Sequence, residues 1–192
     1  MGAAGDGCRV VFLGPPGSGK GTQAVLLAQD LGVPAISTGD MLREAVANGS
    51  ELGRRVRRIM EAGELVGDEL MAEVVEERLA SADTSMGFLL DGYPRTAAQA
   101  ETLERILERA SGTLDHVVFI DVPEEELVRR ARLRQRIDDR EAVVRERLRV
   151  YREKTQPLVD HYRTRGLLRE IDGFREVATV RSAILKALEA DC

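Results

Sequence analysis

Lysine is what this chain has least of for its charge. Of its 28 basic residues in 192, only Lys20, Lys154 and Lys186 are lysine and the other 25 are arginine. Tryptophan is absent, and aromatics make up 4%. The two cysteines, Cys8 and Cys192, offer neither a disulfide framework nor zinc-ligand spacing. No apolar run approaches the ~20 residues that a bilayer span requires, which argues against a membrane protein. The opening MGAAGDGC has no basic start and no apolar stretch, so it does not read as a signal peptide. Asp6 stands where a myristoylation signal needs Ser or Thr. Residues 1–8 therefore read as a flexible leader, and the cytoplasm is the expected compartment. A formal charge of −5 makes nucleic acid a poor partner.

What is present is an alternation of short apolar runs and longer helical patterns. CRVVFLG, GFLLDG and HVVFIDV are continuous and β-branched or aromatic, as strands buried on both faces should be. VPAIST and LLREIDG are weaker candidates of the same kind. KGTQAVLLAQDLG carries apolar residues at Ala24, Leu27, Ala28 and Leu31 and closes on Gly32, which predicts a helix. DELMAEVVEERLA, AAQAETLERILERA, PEEELVRRARL and REVATVRSAILKALEA repeat that pattern. A long helix bent near Pro157 is expected from Asp139 to Gly166. Such alternation predicts a single-domain, doubly wound α/β sheet whose ligands bind at the carboxyl ends of its strands. Thr38 to Val66 breaks the alternation, since it reads as helical throughout, and looks like a small excursion from the sheet.

Four stretches carry chemistry. In GPPGSGKGT, Gly14, Gly17, Gly19 and Gly21 let backbone amides turn inward, and the helix from Lys20 adds its positive end. Lys20 would reach the β- and γ-phosphates of a nucleotide. In a chain that otherwise writes arginine, lysine at this position is the more telling. The usual loop follows its lysine with a hydroxyl ligand for magnesium, but here Gly21 takes that place and Thr22 comes one residue late. The ion would then be held by nucleotide oxygens and water, steered by Asp91 at the end of LLDGYPR. The competing reading of Asp91 is a turn cap before Gly92. Arg95 follows within four residues and would share the cleft. In STGDMLR, Ser37 or Thr38 can cap a helix carrying Arg43, which would clamp a second substrate's phosphate. RARLRQRIDDREAVVRERLR, residues 130–149, holds eight arginines, most of which suit a solvated face. Arg130 and Arg134 lie four apart on one helix, and Asp138 and Asp139 can hold neighbouring guanidiniums. Phosphoryl transfer needs positive charge of this kind, closing over the transferring group.

Taken together, GPPGSGKGTQ, ISTGDMLR, ELGR, GELV, GFLLDGYPR, RIDD, VYREKTQPL and LREIDG make the chain resemble the short-lid adenylate kinases over residues 9–190. The resemblance implies a phosphate-loop (P-loop) nucleoside monophosphate kinase core with a five-stranded parallel sheet flanked by helices. It further implies a nucleoside-monophosphate-binding segment at 37–66, a short lid at 133–139, and the reaction MgATP + AMP ⇌ 2 ADP. By that resemblance Gly17, Ser18, Gly19, Lys20, Gly21 and Thr22 would wrap the ATP phosphates. Thr38, Arg43, Glu64, Leu65, Val66, Gly92, Tyr93, Pro94, Arg95 and Gln99 would hold AMP. Arg134 would contact ATP phosphates, and Arg136 and Arg147 would bridge the nucleotides. Arg130 would lie against the ATP adenine, and Arg175 would serve through its main chain. Lys20, Arg95, Arg134, Arg136 and Arg147 form the implied catalytic set, and Asp91 would order the water shell of Mg2+. Gln135 stands where the family often has glycine, which would stiffen the lid hinge. Arg175 replaces smaller residues or lysine. The long-lid insert is missing, so no structural zinc is expected. The family pattern suggests a monomer.

Rival readings fit less well. Kinases of UMP and CMP tend to have Ala at position 38 and Asn at position 99. Thr38 and Gln99 favour AMP, whose adenine offers an N6 donor and an N1 acceptor to an amide. A GTPase-like switch would need an N-K-x-D motif, and none of the three lysines follows an asparagine. A phosphate-loop domain without catalysis would not need five phosphate-directed arginines.

Overall fold

A computed structural model describes residues 8–110, 112–134 and 140–188. Five strands, β1 (Arg9–Leu13), β2 (Ala35–Ser37), β3 (Phe88–Asp91), β4 (His116–Asp121) and β5 (Leu168–Asp172), form one parallel sheet in the order β2-β3-β1-β4-β5. β1 lies at its centre, with Val10 level with Leu89 on one side and His116 on the other. Its continuous apolar run is explained by covering layers on both faces. Val10 and Phe12 pack with Leu27 and Ile184 on one side, while Val11 and Leu13 pack with Leu103 and Leu158 on the other.

The helices follow the sequence pattern closely. They are α1 (Lys20–Leu31), α2 (Thr38–Ala47), α3 (Glu51–Ala62), α4 (Asp68–Leu79), α5 (Ala97–Arg109), α6 (Glu124–Arg134), α7 (Glu141–Val150), α8 (Pro157–Thr164) and α9 (Val177–Leu188). Gly32 ends α1 in the left-handed conformation, its N–H donating to the Ala28 carbonyl. Ser37, Ser50 and Thr96 cap α2, α3 and α5 through side-chain oxygens. Arg57 donates to the Val46 carbonyl at 3.0 Å, satisfying one of the orphan acceptors at the end of α2.

Three expectations need correction. The excursion is not helical to Val66, because Gly63 closes α3 with φ 78 and residues 64–67 run without helix. Cys8 does not belong to a flexible leader, because it is buried and its carbonyl accepts from the Phe88 N–H at 3.0 Å, while residues 1–7 lie outside the described residues. Finally, the bend near Pro157 begins earlier, in a π-helical turn over Tyr151–Thr155 where the Gln156 N–H reaches back five residues to the Tyr151 carbonyl at 2.9 Å.

Candidate active site

At the carboxyl end of β1 the chain must turn sharply into α1, and Gly14 is where it does so. Its φ is 142, and a Cβ there would stand 2.6 Å from the Ile120 carbonyl oxygen. The neighbouring strand thus leaves room for no side chain. α1 opens on Gly19 with no side-chain cap and no acidic residue in its first turn. Unlike α2, α3 and α5, it leaves its first N–H groups to whatever anion enters, as an anion-binding helix terminus does. The Lys20 ammonium donates to the carbonyls of Gly14 at 2.8 Å and Pro15 at 3.0 Å, which tethers it at the mouth of the loop.

Asp91 ends β3 directly opposite. A Cβ added to Gly21 would lie 3.4 Å from Asp91 Oδ2, an ordinary contact distance, so the carboxylate stands close beside the loop. Thr38 Oγ1 donates to the Asp91 carbonyl at 3.3 Å and fixes the start of α2 to the end of β3. Gly92 carries φ 89, and a Cβ on it would come 2.5 Å from Thr38 Oγ1. The sequence left open whether Ser37 or Thr38 caps α2. Ser37 does, accepting from the Asp40 N–H, while Thr38 is buried.

These elements enclose a cavity of about 750 Å³. Its walls bring together Gly17, Gly19, Lys20, Gly21 and Thr22 of the loop with Thr38, Arg43, Asp91, Gly92, Pro94, Arg95 and Gln99. Glu64, Leu65 and Val66 from the non-helical stretch after α3, and Arg147 from α7, complete the set. Arg43 is paired with Asp40 at 2.5 Å, but Asp40 is 59% exposed, so water screens the pair and the guanidinium can change partners at little cost. Arg95 Nε donates to the Gly92 carbonyl at 2.7 Å, which turns its side chain back over the loop it ends.

Other expected residues stand off the walls. Ser18 is buried beneath the loop, and the Tyr93 side chain is fully buried in the core. Burial, with the Asp68 carboxylate second, pushes the Tyr93 phenol up to about 12, so it stays neutral. Arg130 bridges the loop and the segment after β5, donating to the carbonyls of Ser18 at 3.4 Å and Gly173 at 3.1 Å. Glu126 holds Arg130 in that position at 2.7 Å, and hydrogen bonds from Arg129 and then Arg130 pull the Glu126 carboxyl down to about 2. Arg175 is exposed and tied to Asp172 at 2.8 Å. Arg134 closes α6. Arg136, Gln135, Asp138 and Asp139, with most of the expected lid, lie outside the described residues. The solvated reading holds for Arg132, Arg145 and Arg149, each exposed and paired with a nearby glutamate.

Two residues at this site escaped sequence reasoning. Thr155, buried in the π-turn, donates to the Arg95 carbonyl at 2.9 Å. Asp68, first residue of α4, accepts from Thr96 Oγ1 at 3.1 Å and from Gln99 Nε2 at 2.8 Å. A threonine inside a helical pattern and an acid at a helix start are both ordinary, so neither carries a local signal of such a partner.

Comparison with known proteins agrees with this geometry. The family model described as adenylate kinase matches residues 12–167. An adenylate kinase of Thermus thermophilus is 53% identical over 186 residues, covering 95% of this chain and 97% of that protein. One from Nocardia farcinica is 51% identical, covering 94% and 98%. One from Archaeoglobus fulgidus is 44% identical, covering 94% and 97%.

Proposed function

The chain belongs to the adenylate kinase family, and from that premise we propose how its residues carry phosphoryl transfer between ATP and AMP to give two ADP. The observation that carries the reading is the single cavity in which an uncapped helix terminus and Lys20 face Arg43, Arg95, Gln99 and Arg147. One end suits a polyphosphate, and the other suits a nucleoside monophosphate.

The AMP phosphate is already an anionic nucleophile, so no side chain needs to act as a strong base. Catalysis is then positioning together with neutralisation of charge. The loop amides from Gly17 to Thr22 hold the β- and γ-phosphates of ATP, and Lys20 exchanges its carbonyl partners for phosphate oxygens. Arg43 and Arg95 hold the AMP phosphate in line. Arg147, with Arg134 and Arg136, spreads positive charge over the group in transit. Thr38, Gln99 and the backbone of residues 64–66 and 92–95 seat the AMP nucleoside. Arg130 supports the ATP side, and Arg175 contributes through its main chain. Residues 37–66 and 133–139 act as the two closing segments of one domain and exclude water, which would otherwise compete for the phosphoryl group.

The donors present fit a magnesium ion that arrives with ATP. Among the described residues no three His, Cys, Asp or Glu side chains gather to cage a cation, while Asp91 alone faces the loop over Gly21. Asp91 would hold the ion through its water shell. The ion supplies charge neutralisation on the phosphates. Among the described residues no helix is long and apolar enough to cross a membrane, and a cytoplasmic monomer working on ATP, AMP and ADP is the reading we adopt.

The test offers purified protein MgATP with AMP, CMP, UMP or GMP and follows diphosphate formation. AMP should be strongly preferred. A preference for UMP or CMP would overturn the assignment of the acceptor site.

A further inference from the structure

We propose that Asp68 is a specificity-determining positioning residue, which locks the Gln99 amide in the orientation that reads adenine and refuses a 6-oxopurine. The proposal rests on the reading, given above, that Gln99 faces the base of AMP.

A glutamine amide has two acceptor lone pairs on Oε1 and two donor hydrogens on Nε2. In this structure one of each is already committed. Oε1 accepts from the Arg95 N–H at 2.7 Å, and Nε2 donates to Asp68 Oδ1 at 2.8 Å. Both partners are one-sided, since a backbone N–H only donates and a carboxylate only accepts. Turning the amide over would set donor against donor at Arg95 and acceptor against acceptor at Asp68. The orientation is therefore fixed by chemistry on both sides.

What remains on Gln99 is one lone pair and one N–H, on a residue that is 2% exposed yet contributes to the cavity wall. That pair matches adenine, which presents an N6 donor beside an N1 acceptor. Hypoxanthine and guanine present the reverse, an O6 acceptor beside an N1 donor. Asp68 does not line the cavity and never meets the substrate. Its second oxygen accepts from the Thr96 hydroxyl at 3.1 Å, and that hydroxyl in turn accepts from the Gln99 N–H at 3.1 Å as the cap of α5. Both carboxylate oxygens are thus engaged, and Asp68 cannot swing away without breaking the cap arrangement.

Replacing Asp68 by Asn keeps its shape but gives it a donor, so one of the two locks opens. The experiment compares kcat/KM for AMP and for IMP, which differ at the 6-position edge alone, in the wild type, Asp68→Asn and Gln99→Leu. The AMP:IMP ratio should fall by about tenfold in Asp68→Asn, the weight of one buried hydrogen bond, and collapse further in Gln99→Leu. A scaffolding role for Asp68 would weaken both substrates alike and leave the ratio unmoved. That result, beside a collapsed ratio in Gln99→Leu, overturns the proposal while sparing the base-facing role of Gln99. An unmoved ratio in Gln99→Leu overturns both. If Asp68→Asn does not fold, Asp68→Ser, whose hydroxyl both donates and accepts, is read by the same ratio.

Discussion

Thr155 and Arg95 are 60 residues apart in sequence, and the hydroxyl of one donates to the carbonyl of the other at 2.9 Å. Through this bond the π-turn after α7 holds the loop whose Arg95 guanidinium is proposed to hold the AMP phosphate. Thr155→Val keeps the side-chain shape and strands the carbonyl. It should cost about 1–3 kcal/mol in denaturant unfolding and raise KM for AMP more than KM for ATP. Thr155→Ser should restore both. Equal changes in the two KM values would show that the bond serves stability only.

Lys20 should be essential to the chemistry and dispensable to the fold. Its ammonium donates to two loop carbonyls at the surface of the cavity, not to the core. Lys20→Met should lower kcat by about 10²–10³-fold or more, the scale for removing one preorganised donor, with an unchanged unfolding midpoint. Retained turnover would refute its role.

Asp91 should matter through magnesium. Asp91→Asn preserves the backbone carbonyl that Thr38 binds but removes the charge proposed to order the water shell. The magnesium concentration for half-maximal activity should rise several-fold, whereas nucleotide binding measured without magnesium should hardly change. An unaltered magnesium titration would remove Asp91 from the metal's surroundings.

Glu126 gives a pH prediction with a definite sign. Its carboxyl is drawn from an ordinary 4.5 to about 2 by Arg129 and Arg130. A depressed acid contributes stability in full above its unfolded value and loses it as pH falls through the folded one. The wild type should therefore lose thermal stability between about pH 4.5 and 2 more steeply than Glu126→Gln, followed by melting across that range. The variant should also raise KM for ATP at neutral pH, because Arg130 loses the partner that aims it at the Ser18 and Gly173 carbonyls. Parallel melting curves would show that these ion pairs are too well screened to count.

The sequence was most readable where one residue's chemistry decides its surroundings. The run VVFL had to lie in a parallel sheet, because nothing else covers four consecutive apolar side chains on both faces. GPPGSGK had to turn the chain sharply from strand to helix, and Gly32 had to end a helix. Legibility failed where the decisive partner was remote in sequence. Asp68 looks like any acid at a helix start until Gln99, 31 residues away, is placed beside it. Ser37 and Thr38 are both capping residues, and only Asp91, 53 positions on, decides that Thr38 serves elsewhere. The end of α3 shows a nearer failure, where the polar, helix-compatible Glu64 concealed the stop imposed by Gly63.

The π-turn at Tyr151–Thr155 also bears on how the chain tolerates change in length. A single turn of this kind amounts to one residue more than a regular helix accommodates. Deleting one residue there would restore a continuous helix through α7 and α8 and rotate one against the other by roughly 100°, the angle one residue subtends. Thr155 would then leave Arg95, and Arg147 would leave the cavity wall. Insertions and deletions that surface loops absorb freely should be purged from this short stretch, so the spacing between Val150 and Pro157 should be fixed even where its residues are free to vary.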